Sequence, residues 1–170
     1  MFKCVLVLLF IFKIRFPRNK PINNVIVTRY GQDGLSTFRK YESINRKLMK
    51  AEEDLHFLRC CKSYNVFPKF IHFKLYRADL QTTNDYKEYQ EKLLDNEIRE
   101  KIKLIDLHNQ NLNTEKSRLR DLISGLDLAC LTCYLNDQLK KQRTAIQQRH
   151  EKKLQAIGAR ASLKLSLIHI

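Results

Sequence analysis

All three prolines of this chain lie at or before position 68, and from residue 69 to residue 157 no proline interrupts the backbone. Proline removes an amide donor and clashes with the preceding turn, so a stretch this long without it admits long helices. The apolar residues bear this out. Phe38, Tyr41, Ile44, Leu48, Ala51, Leu55 and Leu58 follow in steps of 3, 3, 4, 3, 4 and 3. That is a heptad seam, with Arg39, Lys40, Arg46, Lys47, Glu52 and Glu53 on the opposite face. It predicts a first helix over residues 35–63, roughly 43 Å long at 1.5 Å per residue. Asn65 to Pro68 ends it, because the residue before a proline is held out of helical geometry.

A second helix follows from Thr83 or Asn84, either of which can cap it, with Asp85 favourable at its positive end. Tyr86, Leu93, Leu94, Ile98, Ile102, Ile105, Leu112, Leu119 and Ile123 carry it to Ser124-Gly125. Asn109 and Lys116 break into that seam, a device that fixes register or oligomeric state. A third helix starts near Asp127, lined by Leu128, Leu131, Leu135, Leu139, Ile146, Leu154 and Ile157, and Gly158 can end it. Between the first two helices, residues 68–76 alternate like a strand at Ile71, Phe73 and Leu75 yet fit a helical turn at Phe67, Phe70 and Ile71. A short helix or extended turn is the better reading, since a lone strand leaves its backbone groups unpaired.

The fold expected is therefore all-α: long helices in an elongated hairpin or a three-helix, coiled-coil-like bundle over residues 35–158. Residues 1–34 are expected to be a disordered leader and residues 159–170 a tail. Val25-Ile26-Val27-Thr28 is β-prone but has no partner strand nearby, and Gly31 and Gly34 close the leader as a turn. The uninterrupted apolar run 5–12 is far short of the ~20 residues needed to span a bilayer. No small-x-small cleavage site follows it, so a signal or anchor is the alternative to a plain leader. At the other end, Leu165-Ser166-Leu167-Ile168-His169-Ile170 resembles one reading frame of a transposon mosaic-end sequencing adapter. On that reading the natural protein continues beyond Lys164 and this chain is a fragment; a genuine apolar tail is the alternative.

Composition narrows the partners. Lysine and arginine number 32 against 18 acidic residues, a net charge of +14. Such a surplus suits a polyanion, either nucleic acid or an anionic membrane face. Five cysteines without a clear cleavable signal point to reduced thiols in a cytoplasmic or nuclear setting. Membrane attachment through residues 5–12 is the alternative.

Few motifs carry chemistry. Cys130-x-x-Cys133, with His56, Cys60, Cys61 and His72, contains zinc-ligand types, but it sits inside a helical pattern beside Leu128 and Leu131. Small buried thiols are the favoured reading, and neither metal nor cofactor is expected. His56 and Cys60, one turn apart, make no ligand set by themselves, and Glu52, Glu53 and Asp54 read as a solvated face. No Gly-rich phosphate loop, paired polymerase aspartates, nucleophile elbow or His-Glu-x-x-His pattern is present. The richest candidate is the basic third helix. Lys140, Lys141, Arg143, Arg149, Lys152 and Lys153 extend over about 20 Å, enough to meet several phosphates; a solvated coiled-coil exterior is the alternative. Lys69 and Lys74 add a second basic cluster, interleaved with Phe67, Phe70 and Phe73, whose rings are either base-stacking platforms or core.

Residues 34–99 carry a resemblance. Thr37-Phe38-Arg39-Lys40-Tyr41-Glu42, Leu55-x-Phe57-Leu58 with Cys60 or Cys61, Val66-Phe67-Pro68-Lys69-Phe70-Ile71-x-Phe73-Lys74 and Lys92-Leu93-Leu94-x-x-x-Ile98-Arg99 follow one another. Together they resemble the helical region upstream of the reverse transcriptase in Penelope-like and related invertebrate retroelement polyproteins. His56 stands where that family has an arginine before Phe57, and Phe67 where it has an isoleucine before Pro68. The resemblance implies a non-catalytic module that helps bind template RNA or single-stranded DNA or dimerises the polymerase. Its partners would be a second copy or a downstream polymerase domain. No polymerase or nuclease residue carries over, because none is present. A membrane-anchored scaffold and a plain coiled-coil interaction protein are the rival readings.

Overall fold

The computed structural model describes the backbone at residues 22–68, 71 and 83–168, and the side chains at 22–68, 71 and 85–158. The protein is all-α. Three helices, α1 (Ile22–Ser63), α2 (Thr83–Leu122) and α3 (Gly125–Ile168), hold nearly all of the described residues, and no strand occurs among them. The run 5–12 and the aromatic cluster after Pro68, apart from Ile71, lie outside the described residues. None of the described helices is long and apolar enough to cross a membrane.

Most of the α1 seam is buried where its spacing places it: Phe38, Tyr41, Leu48, Ala51, Leu55 and Leu58 are all below a tenth exposed, while Ile44 is half-buried. The helix begins earlier than expected, however. Ile22 to Tyr30 is helical, not a leader or a strand. Val and Ile cost a helix only about half a kcal/mol relative to alanine, and burial of Val25 and Ile26 outweighs that. Gly31 interrupts the helix with φ 68° and ψ −171°. Gly34 is helical and tightly approached, since a Cβ there would lie 2.6 Å from Tyr30 Cβ.

The end of α1 has a local cause upstream of Pro68. Asn65 adopts a left-handed conformation (φ 51°). The Asn65 amide bonds the Lys62 carbonyl at 3.1 Å and the Val66 amide bonds the Cys61 carbonyl at 2.9 Å. This is a Schellman motif with asparagine in the position that glycine usually takes. In α2 the polar interruptions differ from expectation. Asn109 and Lys116 are exposed, and the inward positions are Ile105, His108, Leu112, Glu115 and Leu119. The 3–4 alternation puts His108 and Glu115 inward, one residue ahead of Asn109 and Lys116. Gly158 does not end α3, which runs on to Ile168; one helical glycine costs about 1 kcal/mol, and Ala156, Ala159 and Ala161 around it are strong helix formers.

The chain divides into two compact units, each drawing on all three helices. The first comprises residues 1–49 and 107–142. Its core is Ile26, Phe38 and Tyr41 of α1 with Leu119, Ile123, Cys130, Leu131 and Leu135. Asp127, 1% exposed, anchors the start of α3 there, accepting from Arg29 Nη1 at 3.0 Å and from the Tyr30 hydroxyl at 2.5 Å. The second unit comprises residues 50–106 and 143–170, with Leu58, Ile71 and Leu94 at its centre.

Candidate functional site

In the second unit the C-terminal half of α3 turns Ile146, His150, Leu154 and Ile157 inward, in steps of 4, 4 and 3. This periodicity separates the basic residues into different environments. Arg143 reaches α1: its Nη2 lies 2.5 Å from Glu52 Oε2 and its Nε 3.1 Å from Glu53 Oε1. Gln147 Nε2 also donates to Glu53 Oε1, at 3.1 Å. Glu53 is buried, so Glu52-Glu53-Asp54 is no solvated face; Arg143 comes back to meet it. A guanidinium held by two carboxylates is a structural clasp.

Lys153 lies over the Phe57 ring, its Nζ 5.9 Å from the centroid. Arg149 and Lys152 are exposed, with no ion-pair partner among the described residues. Lys140 and Lys141 belong to the first unit and are exposed there. Lys141 pairs with the equally exposed Asp137 at 3.2 Å, a contact worth at most ~1 kcal/mol. Lys69 and Lys74 lie outside the described residues. The six basic residues singled out on α3 thus fall in different environments. The side chains left to meet phosphates are Arg149 and Lys152 in one unit and Lys141 in the other.

The same part of the second unit holds a cavity of about 730 Å³. Phe57, Leu58, Pro68, Ala156 and Ile157 give it apolar walls, and Asp54, Glu97, Lys101, His150 and Lys153 bring charge to it. Lys101 Nζ pairs with Asp54 Oδ2 at 3.1 Å, and His150 Nε2 stands 3.7 Å from Asp54 Oδ1. The His150 ring packs on Phe57 with centroids 4.8 Å apart. Burial holds the His150 imidazole below the ordinary histidine range; Asp54 and Glu53 pull it up, and Lys153 and His56 push it down. Composition and spacing single out none of Asp54, Phe57, Lys101 and His150 as a site. The only sequence signal is the opposed charge of acidic residues on α1 and basic residues on α3, which does not say which pairs meet.

The thiols divide between the units. Cys130 is fully buried in the first core and Cys133 is half-buried. In the second unit Cys60 Sγ contacts His56 Nε2 at 3.7 Å. Cys61 is buried, and burial, with Cys60 beside it, pushes its thiol up to about 11. A thiol so shifted is a poor nucleophile at neutral pH. Among the described residues, no three histidine, cysteine or acidic side chains gather around a point where an ion could sit. Comparison of the chain with protein-family models, with curated proteins and with solved structures finds no match.

Proposed function

We propose that this protein is a non-catalytic helical module that binds RNA or single-stranded DNA through phosphate contacts from α3. It would do so as part of a retroelement polyprotein of the kind its first helices resemble, in the cytoplasm or nucleus and beside a second copy or a polymerase domain. The observation that carries the reading is the uncompensated charge of α3. Between Arg149 and Gly158, beyond the clasped Arg143, there are three lysines and arginines against Glu151 alone, a surplus of two. Of these, Arg149 and Lys152 stand exposed without an acidic partner among the described residues. Contacts of this type hold a strand without reading its bases, so the binding is weak and indifferent to sequence.

A filter-binding titration against homopolymeric RNA over a range of salt tests this. Replacing Lys141, Arg149 and Lys152 together with glutamine is expected to weaken binding equally for every sequence. The salt slope should flatten by about 2, since each single-strand phosphate contact contributes about 0.7. Equal binding by the wild type and the triple variant, or no binding at low salt, would refute the proposal. A helical scaffold would then be preferred, a reading that draws on the exposed Leu104, Leu107 and Leu122 of α2.

A further inference from the structure

We propose that the cavity of the second unit is a binding site for a small amphipathic monoanion, an apolar-bodied carboxylate. Its volume of about 730 Å³ lies in the range of pockets that enclose small organic ligands, about 300–1,000 Å³. Phe57, Leu58, Pro68, Ala156 and Ile157 offer an apolar body part of the lining. The charges decide the head group. Asp54 and Lys101 neutralise each other at 3.1 Å, and Glu97 is engaged within the protein. That leaves Lys153, an exposed side chain whose ammonium lies 5.9 Å from the Phe57 ring centroid and has no acidic partner among the described residues. An exposed cation bordering an apolar cavity is complemented by one negative charge, at the modest strength of a solvent-exposed ion pair. A cationic ligand would find the Asp54 carboxylate already taken, and a neutral one would leave Lys153 uncompensated. This assigns Lys153 to the pocket and not to the phosphate contacts proposed above, so the two proposals stand or fall separately.

Two fluorescent probes of similar body test it: anionic anilinonaphthalene sulfonate and neutral phenylnaphthylamine. The chain contains no tryptophan, so probe emission is read without that background. Both are expected to bind the full chain at one site, and dodecanoate, but not dodecanol at equal concentration, is expected to displace the anionic probe efficiently. Lys153→Gln should weaken the anionic probe about three- to fivefold, the size of an exposed ion pair, and leave the neutral probe unchanged. Ala156→Trp, checked for native helicity by circular dichroism, should fill the cavity and abolish both. Lys152→Gln, one residue away but off the pocket lining, should change neither. The proposal is overturned if the wild type binds neither probe, or if Ala156→Trp still binds both. It is also overturned if Lys152→Gln costs as much as Lys153→Gln, because overall charge would then explain the anionic preference.

Discussion

Ile26 lies in the segment whose β-branched residues most mislead a sequence reading, and it is fully buried, 0% exposed, in the core of the first unit. Its Cγ2 comes within 3.8 Å of the place a Cβ would take on Gly34, so the side chain is packed from its own helix as well as from α2 and α3. Ile26→Ala removes three buried carbons, worth about 2.4 kcal/mol in transfer free energy at about 0.8 kcal/mol each. The void left behind raises the loss to about 3–4 kcal/mol, and the better helix propensity of alanine returns about 0.4 kcal/mol. A net loss near 3 kcal/mol lowers the melting temperature of a chain this size by about 6–12 °C. Thermal unfolding followed by far-UV circular dichroism measures it. The control is Thr28→Ala, two residues away and exposed, which should shift melting by no more than about 2 °C. If the two variants melt together, residues 22–30 are not docked on the core, and the first turns of α1 contribute nothing to the fold.

Two further outcomes concern the second unit. Arg143→Gln leaves the buried Glu53 carboxylate with Gln147 as its remaining donor, and should cost about 1–3 kcal/mol in urea denaturation. Adding Glu53→Gln should recover part of that loss, whereas strictly additive losses would deny the clasp. The His150 imidazole titrates lower in the folded protein than in the unfolded chain. The unfolded state therefore binds the proton more readily, and the stabilisation held above pH ~6.5 is lost as pH falls below that value. His150→Phe should flatten this acid limb, and an unchanged pH profile in that variant would show that other groups govern it.

Much of the architecture can be read from residue spacing, because spacing is what a helix obeys. The steps of 3 and 4 from Phe38 to Leu58 report a buried face without reference to any other part of the chain. The start of α1 is hidden for the opposite reason. Val25 and Ile26 have a weak local preference for strand, and the contacts that overrule it come from Leu119 and Leu131, about a hundred residues later. The end of α1 falls just before residues 65–68 as expected, but Asn65 brings it about by tolerating a left-handed backbone. The basic residues of α3 are legible as a surplus of charge, but not as separate groups. Arg143, Lys153 and Arg149 differ only in the direction each leaves the helix, and what waits in each direction is set by α1. The cavity is the least legible feature. Its walls join Asp54 and Phe57 to residues beyond His150, and one sequence holds no sign of that pairing.

The clasp between α1 and α3 has a consequence for how the chain is made. Glu52 and Arg143 are 91 positions apart, and Arg29 and Asp127 are 98 apart. During synthesis at about 5–20 residues per second, Glu52 is polymerised roughly 5–18 s before Arg143. Through that interval the acidic group later buried at Glu53 stays hydrated, because its partners Arg143 and Gln147 do not yet exist. The buried carboxylate of Glu53 is therefore satisfied only when the last helix arrives, not when the second is complete.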